Sequence, residues 1–130
     1  QVTLRKLIDG DELRFSTGEQ IFDVISVNDC ARAYLAIAMY GKPFREYWIG
    51  SGQPRPLRQY VEIMASLFPS VQPLQFGAMP YNDISLNISD FSIEMLTADT
   101  NFQPLDQYED IVRTLHSWIL ETNWHPAKTS

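Results

Sequence analysis

Short apolar runs alternate with longer amphipathic stretches along this chain, and that alternation limits the fold more than any single residue does. Val2, Leu4, Leu7 and Ile8 give residues 1–9 the character of a helix, broken by Gly10-Asp11. Leu13-Arg14-Phe15 alternates as a short strand does and stops at Ser16-Thr17-Gly18, and Ile21 to Val27, rich in β-branched residues, predicts a second strand. Asn28 or Asp29 then caps a helix from Cys30 to Tyr40 that closes at Gly41. Its apolar residues Ala31, Tyr34, Leu35, Ile37, Ala38 and Met39 form a stripe wide enough for cover on more than one side. Tyr47-Trp48-Ile49 reads as a strand stopped by Gly50-Ser51-Gly52. Pro56 suits the first position of a helix from Leu57 to Phe68, whose apolar residues recur at helical spacing until Pro69 ends it. Leu74-Gln75-Phe76 predicts a further short strand, residues 77–90 a loop, and Ser92 to Asp99 a short helix. In the last helix Asp106 and Glu109 have capping-box spacing, and Tyr108, Ile111, Val112, Leu115, Trp118 and Ile119 line one face. Residues 123–130 are expected to fray. The order α, β, β, α, β, α, β, α, α predicts a single α/β or α+β layered domain over residues 1–122.

Composition narrows the function. With 130 residues, 45% of them hydrophobic, the chain can bury a core without metal or disulfide staples. A net charge of −6 argues against nucleic acid, which needs a basic face, and leaves room for an anionic small ligand held by a few local arginines. One cysteine, Cys30, and two histidines far from it make neither an internal disulfide nor a metal signature. No apolar run approaches the roughly 18 residues of a membrane span, and the polar stretch QVTLRKLIDGDELRF has no signal-peptide pattern. The expectation is a cytoplasmic protein that meets neither membrane nor nucleic acid.

The stretch STGEQIFDVISVNDCARAYLAIAMYGKPFREYWIGSGQP carries a resemblance. Gly18 to Asp29 with Ala31 to Ala33 is similar to the frame of the extended short-chain dehydrogenase/reductases, the nucleotide-sugar epimerases and dehydratases, which runs roughly glycine, Gln, x, Arg-Asp-Phe-Ile-His-Val-Asp-Asp-Val-Ala-x-Ala. Tyr47 to Gly52 resembles their "Tyr-Asn-Ile-Gly-Ser-Gly", Phe91 to Pro104 their "Asp-Ile-Ser-Lys-Ala…Leu-Gly-Trp-x-Pro", and the last helix, with Thr114 and Trp118, their terminal "Gly-Leu-x-x-Thr-x-x-Trp". Leu57 to Leu67 falls where the family has its next helix, so four motifs follow in order over nearly the whole chain. The resemblance implies the C-terminal substrate-binding lobe of such an enzyme, four or five helices with three or four short strands and no Rossmann core. It also implies that Tyr47 to Ile49 is a late strand of a parallel sheet, and that the complete enzyme uses NAD(P) on a nucleotide-sugar.

Family chemistry moves a hydride to and from nicotinamide while a Tyr-x-x-x-Lys pair handles a proton, the cation being what makes the phenol acidic enough. Tyr34, Tyr40, Tyr47, Tyr60, Tyr81 and Tyr108 are followed four residues on by Ala38, Phe44, Ser51, Met64, Ser85 and Val112, none of them lysine. Gly50-Ser51-Gly52 continues as Gln-Pro-Arg and lacks the third glycine and helix that seat a pyrophosphate. We therefore expect no catalytic, cofactor-binding or metal residues in this chain, and no turnover from it alone. The family's phosphate-binding arginine position is Phe22 here, its histidine position is Ser26, and no second arginine stands between Tyr81 and Asp90.

The candidate substrate-binding residues are Leu13, Arg14, Phe15, Arg55 and Tyr81. The resemblance makes Leu13-Arg14-Phe15 the strand that holds the nucleobase; alternation alone makes it an amphipathic strand with two core residues and an exposed arginine. Arg55 and Arg58 flank a helix start, where anions are attracted, although surface arginines are commonly just solvated. Tyr81 stands in the loop where the family touches substrate. His116, beside the apolar face of the last helix, and Cys30 read as structural. A rival reading is a stand-alone binding domain derived from this lobe, whose uncovered strand and helix faces drive homo-oligomerisation.

Overall fold

In the computed structural model, which describes residues 1–81 and 86–126, the chain runs α1 (Val2–Asp9), β1 (Leu13–Arg14), β2 (Ile21–Phe22), α2 (Val27–Tyr40), β3 (Arg55–Pro56), α3 (Leu57–Leu67) and β4 (Leu74–Gln75). A 3-10 turn (Ile88–Phe91), α4 (Glu94–Thr100) and α5 (Tyr108–Thr122) follow. The described residues hold five helices and four short strands, the strands forming two two-stranded sheets, β1 with β4 and β2 with β3, an α/β arrangement of the size expected for the partial lobe. The middle of the loop expected at 77–90 and the last four residues of the expected frayed tail lie outside the described residues. No described helix is long and apolar enough to cross a membrane.

The chain divides into two compact units, residues 1–19, 56–83 and 109–130, and residues 20–55 and 84–108. In the first, α1 packs on α3 and on β1, and Leu13 is buried, as are the helical residues Leu4, Leu7, Tyr60, Val61, Val112 and Ile119. These are the positions that helical periodicity selects. His116 stacks on Phe68 with ring centroids 3.7 Å apart and planes 5° from parallel, a packing role. Trp124, just past α5, folds back so that its ring lies 6.1 Å from that of Trp118.

In the second unit α2 packs on α4, and Ala33, Leu96 and Phe102 are buried with Ile25, Ala36, Ile37, Tyr47 and Ile49 around them. The helix cap differs from the expectation. Ser26 is the N-cap, its Oγ accepting from the Asp29 N–H at 3.0 Å, because the Asp29 carboxylate is engaged elsewhere. Asp29 is 2% exposed, and its Oδ2 accepts the N–H groups of Leu105 and Asp106, both at 2.9 Å, while Oδ1 takes Arg32 at 2.5 Å. Burial opposes the charge, yet the Asp106, Leu105 and Arg32 hydrogen bonds outweigh it and hold the carboxyl below its usual range.

Tyr47-Trp48-Ile49 is not a strand here: among the described residues none pairs with it, and a strand exists only through its neighbour. Its side chains pack all the same, Ile49 and Tyr47 on the Ala33 cluster and Trp48 edge-on to Phe91 at 5.3 Å. The Tyr47 hydroxyl accepts the Lys42 N–H and donates to Asp99, both at 2.8 Å. Asp99 also receives the Lys42 ammonium at 2.6 Å and Arg45 at 2.9 Å. The Lys42 hydrogen bond leads in keeping the Asp99 carboxyl below its usual range, against its burial.

Candidate functional site

Parallel pairing of β1 with β4 sets Leu13 opposite Leu74 and Arg14 opposite Gln75. The next step of that register brings two aromatic residues together. Phe15 donates its N–H to the Gln75 carbonyl at 2.8 Å, and its ring stacks on Phe76 with centroids 5.3 Å apart and planes 26° off parallel. Beyond the strands the two segments stay stitched: Gly77 N–H donates to Ser16 O at 2.9 Å, and Met79 N–H to Phe15 O at 3.0 Å. Buried polar groups of this edge are thus paired, which keeps the aromatic row in place.

Arg58, in the first turn of α3, covers the row. Its guanidinium carbon lies 4.2 Å from the centre of the Phe76 ring, within cation–π range. Nε and Nη2 both donate to the Thr17 carbonyl, at 3.3 and 3.1 Å, and the Arg58 backbone N–H donates to Gly18 O at 2.9 Å. That last bond uses one of the helix N-terminal donors that the sequence offered to an anion. What Arg58 presents outward is its side chain, which is exposed.

Of the candidate residues, Leu13, Arg14, Phe15 and Tyr81 belong to this unit. Leu13 is 2% exposed and belongs to the core of this unit. Arg14 is exposed, with one long bond of 3.4 Å from Nη2 to Ala78 O. Phe15 is half-buried in the stack, and Tyr81 is 38% exposed at the end of the same segment. Arg55 belongs to the other unit, where it donates to the Gln53 side chain at 3.1 Å and lies 6.0 Å from the Tyr108 ring. Sequence reasoning missed Phe76 as a site residue and treated Arg58 as a helix-end cation. The signal available was the equal spacing of Phe15 and Phe76 from the two Leu residues that pair, Leu13 and Leu74.

The Gly50-Ser51-Gly52 turn is closed by Asp23, whose carboxylate accepts the Ser51 hydroxyl and, at 3.2 Å, the Gly52 N–H. A carboxylate at that spot repels a pyrophosphate. The described residues include no group of three or more His, Cys, Asp or Glu able to hold a metal ion.

No family model and no curated protein matches the chain. Solved structures do. The Thermotoga maritima UDP-glucose 4-epimerase with UDP-glucose is similar at a TM-score of 0.81 and 17% identity, over 95% of this chain and 39% of the epimerase. The Bordetella bronchiseptica enzyme WbmF in complex with NADH gives 0.76 and 23%, over 95% of this chain and 37% of its own. The dTDP-glucose 4,6-dehydratase from Bacillus anthracis in complex with NAD gives 0.74 and 14%, over 93% and 38%. This chain therefore spans a little over a third of the length of the structures it matches, and over that span it has the fold of the extended short-chain dehydrogenase/reductases, the nucleotide-sugar epimerases and dehydratases.

Proposed function

We propose that this chain is the nucleotide-sugar binding portion of an NAD(P)-dependent epimerase or dehydratase. One observation carries the reading: within a fold shared with an epimerase whose structure holds UDP-glucose, the β1 edge presents a stacked aromatic pair, Phe15 and Phe76, beside the exposed Arg14. An aromatic face suits a nucleobase, and a guanidinium suits a phosphate. Tyr81 completes the candidate set of this unit, and Arg55 is a separate candidate in the other. Hydride transfer and its proton-handling phenol belong to residues outside this chain, because no tyrosine here has a lysine four positions on.

Two outcomes are expected. Incubation of the chain with NAD(+) and UDP-, dTDP-, CDP- or GDP-sugars gives no epimerisation or dehydration above background; cofactor-dependent turnover sinks the reading. A titration with the same nucleotides shows binding, and Phe15→Ala weakens it about tenfold with the fold retained by circular dichroism, since stacking on one ring is worth about 1–3 kcal/mol.

A second reading rests on α2. Tyr34, Leu35, Met39 and Tyr40 are 65%, 61%, 60% and 58% exposed, four large apolar residues left uncovered on one helix. On this reading the chain is an oligomerising domain whose copies cover that surface. Light scattering at tens of micromolar, the range of modest interfaces, then gives a dimer or larger; a clean monomer argues for the first reading alone.

A further inference from the structure

We propose that Arg58 is the phosphate anchor of this site and takes a nucleotide's phosphate on the part of its guanidinium that Thr17 does not use. The proposal rests on the nucleotide-binding reading above and gives Arg58, which the sequence offered only as a cation near a helix start, a defined partner and orientation. Where the family has its phosphate arginine this chain has Phe22, 43% exposed, so the positive charge for a diphosphate must come from elsewhere on a chain of net charge −6.

Arg58 has the geometry for it. A guanidinium carries five N–H donors in one plane. The Thr17 carbonyl takes Nε and one N–H of Nη2, and Phe76 lies beneath the plane at 4.2 Å. Those contacts fix both the tilt and the rotation of the fork. The two N–H groups of Nη1 and the second of Nη2 are left over by the Thr17 contact, and their spacing matches two oxygens of one phosphate. Among the described residues no carboxylate pairs with Arg58, whereas Arg5, Arg32 and Arg45 each sit on an aspartate. The side chain is exposed and already ordered, so an anion binds it with little further loss of rotamer freedom. Arg14, the exposed arginine of β1, has one bond at 3.4 Å and is less well fixed. Lysine has neither the fork nor the flat face, so it cannot replace Arg58.

The test compares nucleoside diphosphates (UDP, dTDP, CDP and GDP) with their parent nucleosides on the wild-type chain, Arg58→Lys and Arg58→Gln, by titration calorimetry. The wild type is expected to bind its preferred diphosphate at least about tenfold more tightly than the matching nucleoside. Both variants should bring the diphosphate to within about twofold of the nucleoside while nucleoside affinity stays put. Independently of whether the variants fold, the Arg58 Nε–H resonance of the wild type should move with the diphosphate and not with the nucleoside. Variants that keep wild-type discrimination, or a resonance that does not move, overturn the anchor and leave the nucleotide-binding reading standing. A wild type that binds no diphosphate and no nucleoside overturns both.

Discussion

Replacing Asp29 by alanine is expected to destabilise the chain by about 3 kcal/mol, the cost of leaving charged-group hydrogen bonds unmade in a buried setting. The carboxylate is 2% exposed and serves three donors, two backbone N–H groups at Leu105 and Asp106 and the Arg32 guanidinium. Alanine leaves the two amides without their acceptor and also releases Arg32, which otherwise reaches Gln103 O at 3.2 Å and sits 5.6 Å from the Phe102 ring. Asp29→Asn keeps an acceptor for the two amides but turns an NH2 group toward Arg32, so a loss of about 1–2 kcal/mol is expected. The pH dependence follows from the direction of the shift. A carboxyl held low in the folded chain and ordinary in the unfolded one contributes stability above about pH 4, and that contribution falls away as pH drops through the folded value. Urea unfolding should therefore show a constant gap between wild type and Asp29→Ala from pH 5 to pH 7. The gap should narrow below about pH 4. A gap that persists unchanged into acid means that the ionised carboxylate is not what ties residues 105–106 to α2.

The same residue shows why part of the fold was legible and part was not. Helices announce themselves through local periodicity, and α3 and α5 stand where Tyr60, Val61, Val112 and Ile119 said they would, all buried. Caps depend on what else the side chain does. Asp29 has the right chemistry for a cap, but its hydrogen bonds go to residues 76 and 77 positions away, and Ser26 caps instead. Strands depend wholly on a partner. Leu13-Arg14 found one 61 residues on, at Leu74-Gln75, whereas the more apolar Tyr47-Trp48-Ile49 found none among the described residues. The site shows the same division. Phe15 was recognisable from its strand, but that Phe76 lies against it and Arg58 above it follows from a register between distant segments, which no local pattern reports.

Gly18→Ala is expected to cost about 3 kcal/mol, a strained φ plus a backbone clash. Gly18 has φ +77°, a left-handed conformation that costs an L-residue about 1–2 kcal/mol. A Cβ placed there would sit 2.9 Å from Arg58 Cβ, 3.1 Å from Arg58 N and 3.2 Å from Arg58 Cα. Two of those atoms are backbone in the first turn of α3, so relief means moving the helix start, not rotating a side chain. Moving it lengthens the Arg58 N–H bond to Gly18 O and slackens the guanidinium's hold on the neighbouring Thr17 carbonyl. Gly77→Ala is the control: its φ of +80° carries the same strain, but a Cβ there meets nothing within 4 Å, so about 1 kcal/mol is expected. The two variants thus separate backbone strain from close approach, and the difference should appear as a lower urea midpoint for Gly18→Ala at unchanged slope. Equal midpoints would show that α3 yields to the methyl at no cost, and that the contact between the Ser16–Gly18 turn and the first turn of α3 is too loose to hold Arg58 in register.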